Sequence, residues 1–151
     1  MNFNNIDEII KYAIEKEIEA EQFYLEAAAE AEFTGARQLF EDFAKEENKH
    51  KTMLETLDKD QIHSFVPETV PDLKRSNYLV DMTYEKGMGF ADILRLAMKR
   101  EEKANKLYLD LSQKAGQDDI KKLFEKLAQE ESKHKFGLER MYDDYMATMG
   151  D

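Results

Sequence analysis

LFEDFAKEENKHKTMLE, residues 39–55, returns 84 positions later as LFEKLAQEESKHKFGLE, residues 123–139. The same shift aligns AIEKEIEAEQFYLEAA (13–28) with AMKREEKANKLYLDLS (97–112). Over positions 13–57 against 97–141, 17 of 45 residues are identical without a gap, among them Glu17/Glu101, Tyr24/Tyr108, Glu47/Glu131 and His50/His134. The chain is therefore a duplicated unit, and its fold must be read as two copies of one supersecondary element.

Each copy reads as two helices joined by a short turn. In the first, Asn5 with Glu8 three residues on gives a capping-box-like start, and the helix runs to about residue 32. Thr34 and Gly35 interrupt the pattern, and a second helix follows to about residue 59. In the second copy Gly89 opens a third helix, Gly116 and Asp118 form the break, and the last helix reaches about residue 147. Short turns make each pair an antiparallel hairpin. Both prolines, Pro67 and Pro71, fall between the hairpins. The expectation is a single all-α domain over residues 1–151: hairpin one at 5–59, a linker at 60–88 and hairpin two at 89–147. The linker is long enough to cross a bundle end to end, and a short helix is expected within it around Leu73–Met82.

Stepping by three and four along each helix gives its inward seam. The first helix presents Ile6, Ile10, Ala13, Glu17, Ala20, Tyr24, Ala27 and Ala31; the second, Ala36, Phe40, Phe43, Glu47, His50, Leu54 and Leu57. The third presents Phe90, Leu94, Ala97, Glu101, Ala104, Tyr108, Leu111 and Ala115. The fourth presents Ile120, Phe124, Leu127, Glu131, His134, Leu138, Met141 and Tyr145. All four seams are apolar except near the middle, where Glu17, Glu47, His50, Glu101, Glu131 and His134 stand where the pattern calls for leucine.

A carboxylate without a partner in a low-dielectric core costs several kcal/mol, and four close together also repel one another. Two divalent cations cancel four carboxylates, and neutral imidazoles complete the coordination. Glu-x-x-His sets an oxygen and a nitrogen ligand one turn apart on one helix face. Four Glu with two such pairs form the ligand set of di-iron and di-manganese carboxylate bundles. Tyr24 and Tyr108 lie two turns from Glu17 and Glu101 on the same seams. Each either hydrogen-bonds a ligand carboxylate or an oxidant, or is a plain core residue. Glu46 and Glu130 precede the seam Glu and are expected to face solvent. His63 has Asp60 rather than Glu three positions earlier and reads as a surface residue, and the eight Met read as gap-filling side chains.

Composition narrows the partners. With 22 basic and 33 acidic residues the chain carries a formal charge of −11, which repels phosphate backbones and anionic lipid, so neither nucleic acid nor a membrane is an expected partner. It contains no Cys, which excludes disulfides, thiol nucleophiles, iron–sulfur clusters and thiolate zinc sites. The N-terminal MNFNNIDEII lacks the basic and apolar regions of a secretory signal, and a cytoplasmic location is expected.

At these residues the sequence resembles the ferritin-like superfamily, and most closely the rubrerythrin-type di-iron domain. The resemblance rests on A-x-x-x-E-x-x-A-x-x-F/L-Y in the first helix of each pair and L-F-x-x-x-A-x-E-E-x-K-H in the second. It implies a ferritin-like four-helix bundle of two helix hairpins joined by a long crossover linker, holding two iron ions, with manganese or zinc as alternatives. Glu17 and Glu101 would be terminal or bridging ligands, and Glu47 with His50 and Glu131 with His134 the paired ones. The implied activity is reduction of a small-molecule oxidant, hydrogen peroxide or dioxygen, at a di-iron centre. Ferroxidase activity and a non-catalytic metal-binding bundle are the alternatives.

Two departures from the family pattern matter. Typical rubrerythrins append a four-Cys rubredoxin-like domain; without Cys, electrons must come from an external donor protein. Many also carry an extra Glu one turn after the third-helix ligand, where this chain has Ala104, so a symmetric six-ligand set is expected. A homodimer is the expected assembly.

Overall fold

The computed structural model describes residues 3–57, 73–115 and 118–149. Helix α1 spans Ile6–Glu30 and α2 spans Thr34–Glu55; α3 spans Phe90–Lys114 and α4 spans Asp118–Met149. One 3-10 turn, Arg75–Tyr78, precedes α3. The described residues form an all-α bundle in which α1 packs along α2 and α3 along α4. Among the described residues, no helix is long and apolar enough to cross a membrane.

Local chemistry sets the helix ends. The Asn5 side chain accepts from the Glu8 N–H at 2.9 Å, and the Glu8 carboxylate accepts from the Asn4 N–H at 2.7 Å. This is a reciprocal cap reaching one residue further back than the standard box. Thr34 and Gly35, expected to break the pattern, instead form the first turn of α2. The connection is only three residues, and the Arg37 guanidinium closes it by donating to the Ala31 carbonyl at 3.1 Å. Helix α2 stops four residues short of expectation, where the Thr56 hydroxyl donates to the Thr52 and Met53 carbonyls.

The short helix expected around Leu73–Met82 shrinks to the single turn Arg75–Tyr78. Its side chains anchor sideways rather than along a helical stripe. Tyr78 packs on Tyr12 with ring centroids 6.4 Å apart and donates to Asp110 at 2.7 Å, while the Arg75 guanidinium lies over the rings of Phe3 and Tyr12. Further along, Tyr84 packs edge-on against Phe23 at 5.7 Å and hydrogen-bonds Glu30. Residues 78–84 thus lie over α1 and α3. The remainder of the expected linker, with His63, Pro67 and Pro71, and the expected break at Gly116 lie outside the described residues.

The apolar core falls into two clusters, each drawing on all four helices. One contains Ile6, Ile10, Leu54, Leu111, Phe124 and Leu127; the other contains Phe23, Ala27, Phe40, Phe43, Leu94 and Leu138. The start of α1 therefore sits beside the ends of α2 and α3, so α1 and α3 run antiparallel. The chain leaving α2 must travel the length of the bundle to begin α3. Between the two clusters, at mid-height, lies the layer of Glu and His.

Gly87 closes the approach to α3 with φ +90°, in a turn where the Met88 N–H donates to the Glu85 carbonyl at 3.1 Å. That position of the turn requires positive φ. Gly87→Ala should destabilise by about 1–2 kcal/mol through backbone strain, although a Cβ there meets nothing within 4 Å. At Gly35, also open but without positive φ, the same change should stabilise by about 0.4–1 kcal/mol. Denaturant unfolding of the two variants should show shifts of opposite sign.

Candidate metal centre

Helical period alone carries the six ionisable seam residues inward. All are buried, none more than 3% exposed: Glu17 from α1, Glu47 and His50 from α2, Glu101 from α3, and Glu131 and His134 from α4. The structure brings all six into one cluster. Glu17, Glu47, His50 and Glu131 offer ligand atoms within 4.8 Å of one another, and so do Glu47, Glu101, Glu131 and His134. Glu47 and Glu131 are thus common to both sets, while Glu17 with His50 and Glu101 with His134 each belong to one.

The imidazoles face the carboxylates through Nδ1. His50 Nδ1 lies 2.9 Å from Glu131, 3.1 Å from Glu17 and 3.3 Å from Glu47; His134 Nδ1 lies 3.5 Å from both Glu47 and Glu101. Nε2 is held on the other side of each ring. His50 Nε2 pairs with Glu130 at 2.5 Å, and His134 Nε2 pairs with Glu46. Such a contact fixes both ring orientation and tautomer, leaving the Nδ1 lone pair for a cation. Phe43 stacks on His134 with centroids 4.1 Å apart and limits its rotation further.

Glu46 is exposed, as expected, and Glu130 is half-buried. Their carboxylates remain accessible, but each reaches across to the histidine of the opposite hairpin. Tyr24 and Tyr108 cross in the same manner. The Tyr24 hydroxyl donates to Glu101 at 2.6 Å, and Tyr108 hydrogen-bonds Glu17. Both tyrosines are fully buried, so each is at once a core residue and a support for a cluster carboxylate.

The electrostatics show what the cluster needs. Burial, and then the neighbouring Glu47 charge, push the Glu17 carboxyl up to about 8 and raise Glu101 as well; burial and the other three carboxylates carry Glu131 well above the ordinary range. Burial alone would lower the imidazoles, but the hydrogen bonds and charges of the surrounding carboxylates outweigh it and bring His50 to about 11 and His134 to about 9. Oxygens of Glu17, Glu47, Glu101 and Glu131, and Nδ1 of both histidines, are buried atoms without a satisfying hydrogen bond. Protons are a poor remedy for such a donor set. Two divalent cations meet oxygen and nitrogen lone pairs together and cancel four negative charges.

One face of the cluster opens onto a cavity of about 230 Å3 between α1 and α3, beneath residues 78–83. All four cluster glutamates line it and neither histidine does. Ala20 and Ala104, one turn beyond Glu17 and Glu101, line it too and leave the space that larger side chains would fill. The absence of a glutamate at Ala104 thus removes a carboxylate and also makes room.

Two solved structures share the fold. A hypothetical protein from Pyrococcus furiosus has 26% sequence identity and a TM-score of 0.73, with 91% of this chain and 88% of that one covered. A Thermotoga maritima protein described as a ferritin-like diiron-carboxylate protein superposes with a TM-score of 0.77 over 96% of this chain and 99% of its own. At 21% identity it speaks for the fold alone. No curated protein sequence matches the chain. The family model described as Rubrerythrin matches residues 3–74 and 92–149, and so takes in all six clustered residues on all four helices. With a ferritin-like bundle, a buried Glu/His cluster at its middle and a family match over most of its length, the chain belongs to the rubrerythrin family.

Proposed function

We propose that the protein is a non-haem di-iron oxidoreductase that reduces hydrogen peroxide or dioxygen with electrons from a separate donor protein. The observation that carries this reading is the cavity meeting the cluster on its carboxylate side. Ions that only neutralised buried charge would need no such opening, whereas a reactive centre must leave a face free for its substrate.

Glu17 and His50 would hold one ion and Glu101 and His134 the other, with Glu47 and Glu131 shared between them. When bound, two iron(II) ions supply the two electrons that cleavage of a peroxide O–O bond consumes. The chain's own residues do the rest. Glu46 and Glu130 fix the imidazole tautomers from outside. The Tyr24 and Tyr108 hydroxyls restrain Glu101 and Glu17 and keep one oxygen of each from turning away. The apolar layers above and below exclude bulk water and leave the cavity as the approach. No cysteine lies in the chain, so electrons must arrive from outside it.

Anaerobic loading with iron(II) followed by hydrogen peroxide should consume one peroxide per two iron(II) ions. Glu47→Ala and Glu131→Ala should lose metal uptake and turnover together; peroxide reduction retained in both variants would reject the reading. Supports should matter less than ligands. Glu130→Gln should weaken metal binding about 10–100-fold, the usual cost of losing a partner behind a ligating histidine. Competition with a chromophoric chelator would measure it.

A further inference from the structure

The cavity is much larger than hydrogen peroxide requires. Its 230 Å3 would hold about seven or eight waters at ~30 Å3 each, while hydrogen peroxide has two heavy atoms. Val80, Met82, Ala20, Ala104 and Leu107 give it an apolar wall. Besides the four cluster glutamates, and Glu19 paired with Lys16, the polar groups around that wall are donors. The Tyr12 hydroxyl is buried without a hydrogen-bond partner on a residue only 5% exposed, and Arg100 Nε is buried without an acceptor. The Arg100 guanidinium rests over the Phe23 ring, its centre 5.1 Å away. Among the described residues, the Lys103 ammonium donates to the Asn77 carbonyl at 3.5 Å. Lys16 also lines the cavity but is paired with Glu19 at 3.0 Å.

An apolar pocket lined by the unsatisfied Tyr12 hydroxyl and Arg100 Nε and by the Lys103 ammonium, with the glutamate cluster in the same lining, suits an organic molecule with an acidic head. We propose that the cavity seats an organic hydroperoxide of about six carbons bearing a carboxylate, the carboxylate on Arg100, Lys103 and the Tyr12 hydroxyl and the O–O group against the glutamate cluster. The reaction rests on the function proposed above and balances as ROOH + 2e⁻ + 2H⁺ → ROH + H2O. The O–O bond breaks, the oxygen on carbon remains as the alcohol, and the other leaves as water. The two electrons come from the iron(II) pair and the two protons from solvent.

The test separates binding from turnover by loading the protein with redox-inert zinc and titrating it calorimetrically with hexanoate and with hexanamide. Hexanoate should bind saturably at one per chain, and hexanamide at least tenfold more weakly. Arg100→Leu and Tyr12→Phe should each weaken hexanoate at least threefold, and Ala104→Phe should abolish binding while retaining the parent's helical circular dichroism. No saturable binding would mean that the cavity holds only water and would overturn the proposal. So would equal binding of acid and amide, or loss in Ala104→Phe alone, which would place the carboxylate on the metals. With iron, a six-carbon hydroperoxy acid should exceed its methyl ester at least tenfold in kcat/KM. Hexanoate binding without any peroxide consumption would reject the oxidoreductase reading and leave the seat standing. Hydrogen peroxide turnover without hexanoate binding would do the reverse.

Discussion

Glu131→Gln should make the metal-free protein more stable than its parent and at the same time remove its capacity to hold two divalent ions. Glu131 is fully buried, burial and three neighbouring carboxylates hold its carboxyl well above the ordinary range, and both of its oxygens lack hydrogen-bond partners. A neutral amide of the same shape removes the cost of keeping that group folded without its counter-ion. Each unit by which the carboxyl stands above its ordinary value costs the folded chain about 1.4 kcal/mol once the pH lies above it, and the amide is spared that cost. The same residue contributes to both ligand sets, so both ions suffer when it is lost. Glu17→Gln is the informative comparison, because Glu17 belongs to one set only and that variant should retain one ion per chain. Urea unfolding in chelator, paired with metal content after reconstitution, reads both effects. A metal-free Glu131→Gln protein less stable than its parent would show that the carboxyl is held by interactions other than those described.

The unfolding temperatures of the metal-free and metal-loaded proteins should diverge as pH rises. In the metal-free chain, Glu17 titrates near 8 against an ordinary 4.5, and His50 near 11 against 6.5. Each group therefore binds its proton more tightly in the folded state than in the unfolded one. By linkage, stability must fall as pH climbs through those windows, from about 4.5 to 8 for Glu17 and from about 6.5 to 11 for His50. The loaded protein behaves oppositely. Its ligands must release those same protons to hold the ions, so metal affinity grows with pH and carries stability with it. Thermal melts between pH 5 and 9, with chelator and with saturating zinc, should give curves that separate steadily. Parallel curves would mean that the buried carboxyls and imidazoles are not the metal's ligands.

The parts of this protein that were legible in its sequence are those governed by helical period. The 84-residue repeat and the four seams located Glu17, Glu47, His50, Glu101, Glu131 and His134 because an ionisable residue at an apolar position contradicts its own surroundings. Glu46 and Glu130 gave no such contradiction. Each sits one residue before a seam Glu, where a charged side chain belongs, and its partner is a histidine in the other hairpin. The duplicated Glu-Glu-x-x-His pattern held the only trace of it. The cavity was hidden for a different reason: it exists because Ala20 and Ala104 are small and because residues 78–83 pass over them, and an absence of volume has no periodic signal. The helix expected near Leu73–Met82 failed because Tyr78 and Arg75 are held by rings on α1 and at the N-terminus, a lateral attachment that apolar spacing within the segment does not reveal.

The charged layer between the two apolar clusters also measures the alignment of the hairpins. A core of uninterrupted Leu and Phe would tolerate a slip of one helical turn, about 5.4 Å, since one apolar layer resembles the next. Here such a slip would slide Glu17 and Glu101 past the groups that hold them, away from Tyr108 and Tyr24, and press carboxylates against Phe43 or Leu127. The ties from His50 to Glu130, from His134 to Glu46, from Tyr24 to Glu101 and from Tyr108 to Glu17 all run from one repeat to the other. A single polar residue in a coiled coil selects one register at the expense of stability. The layer in this bundle acts in the same way with six, so the residues that would gather the metal also specify which of several similar dockings of the two repeated hairpins is the native one.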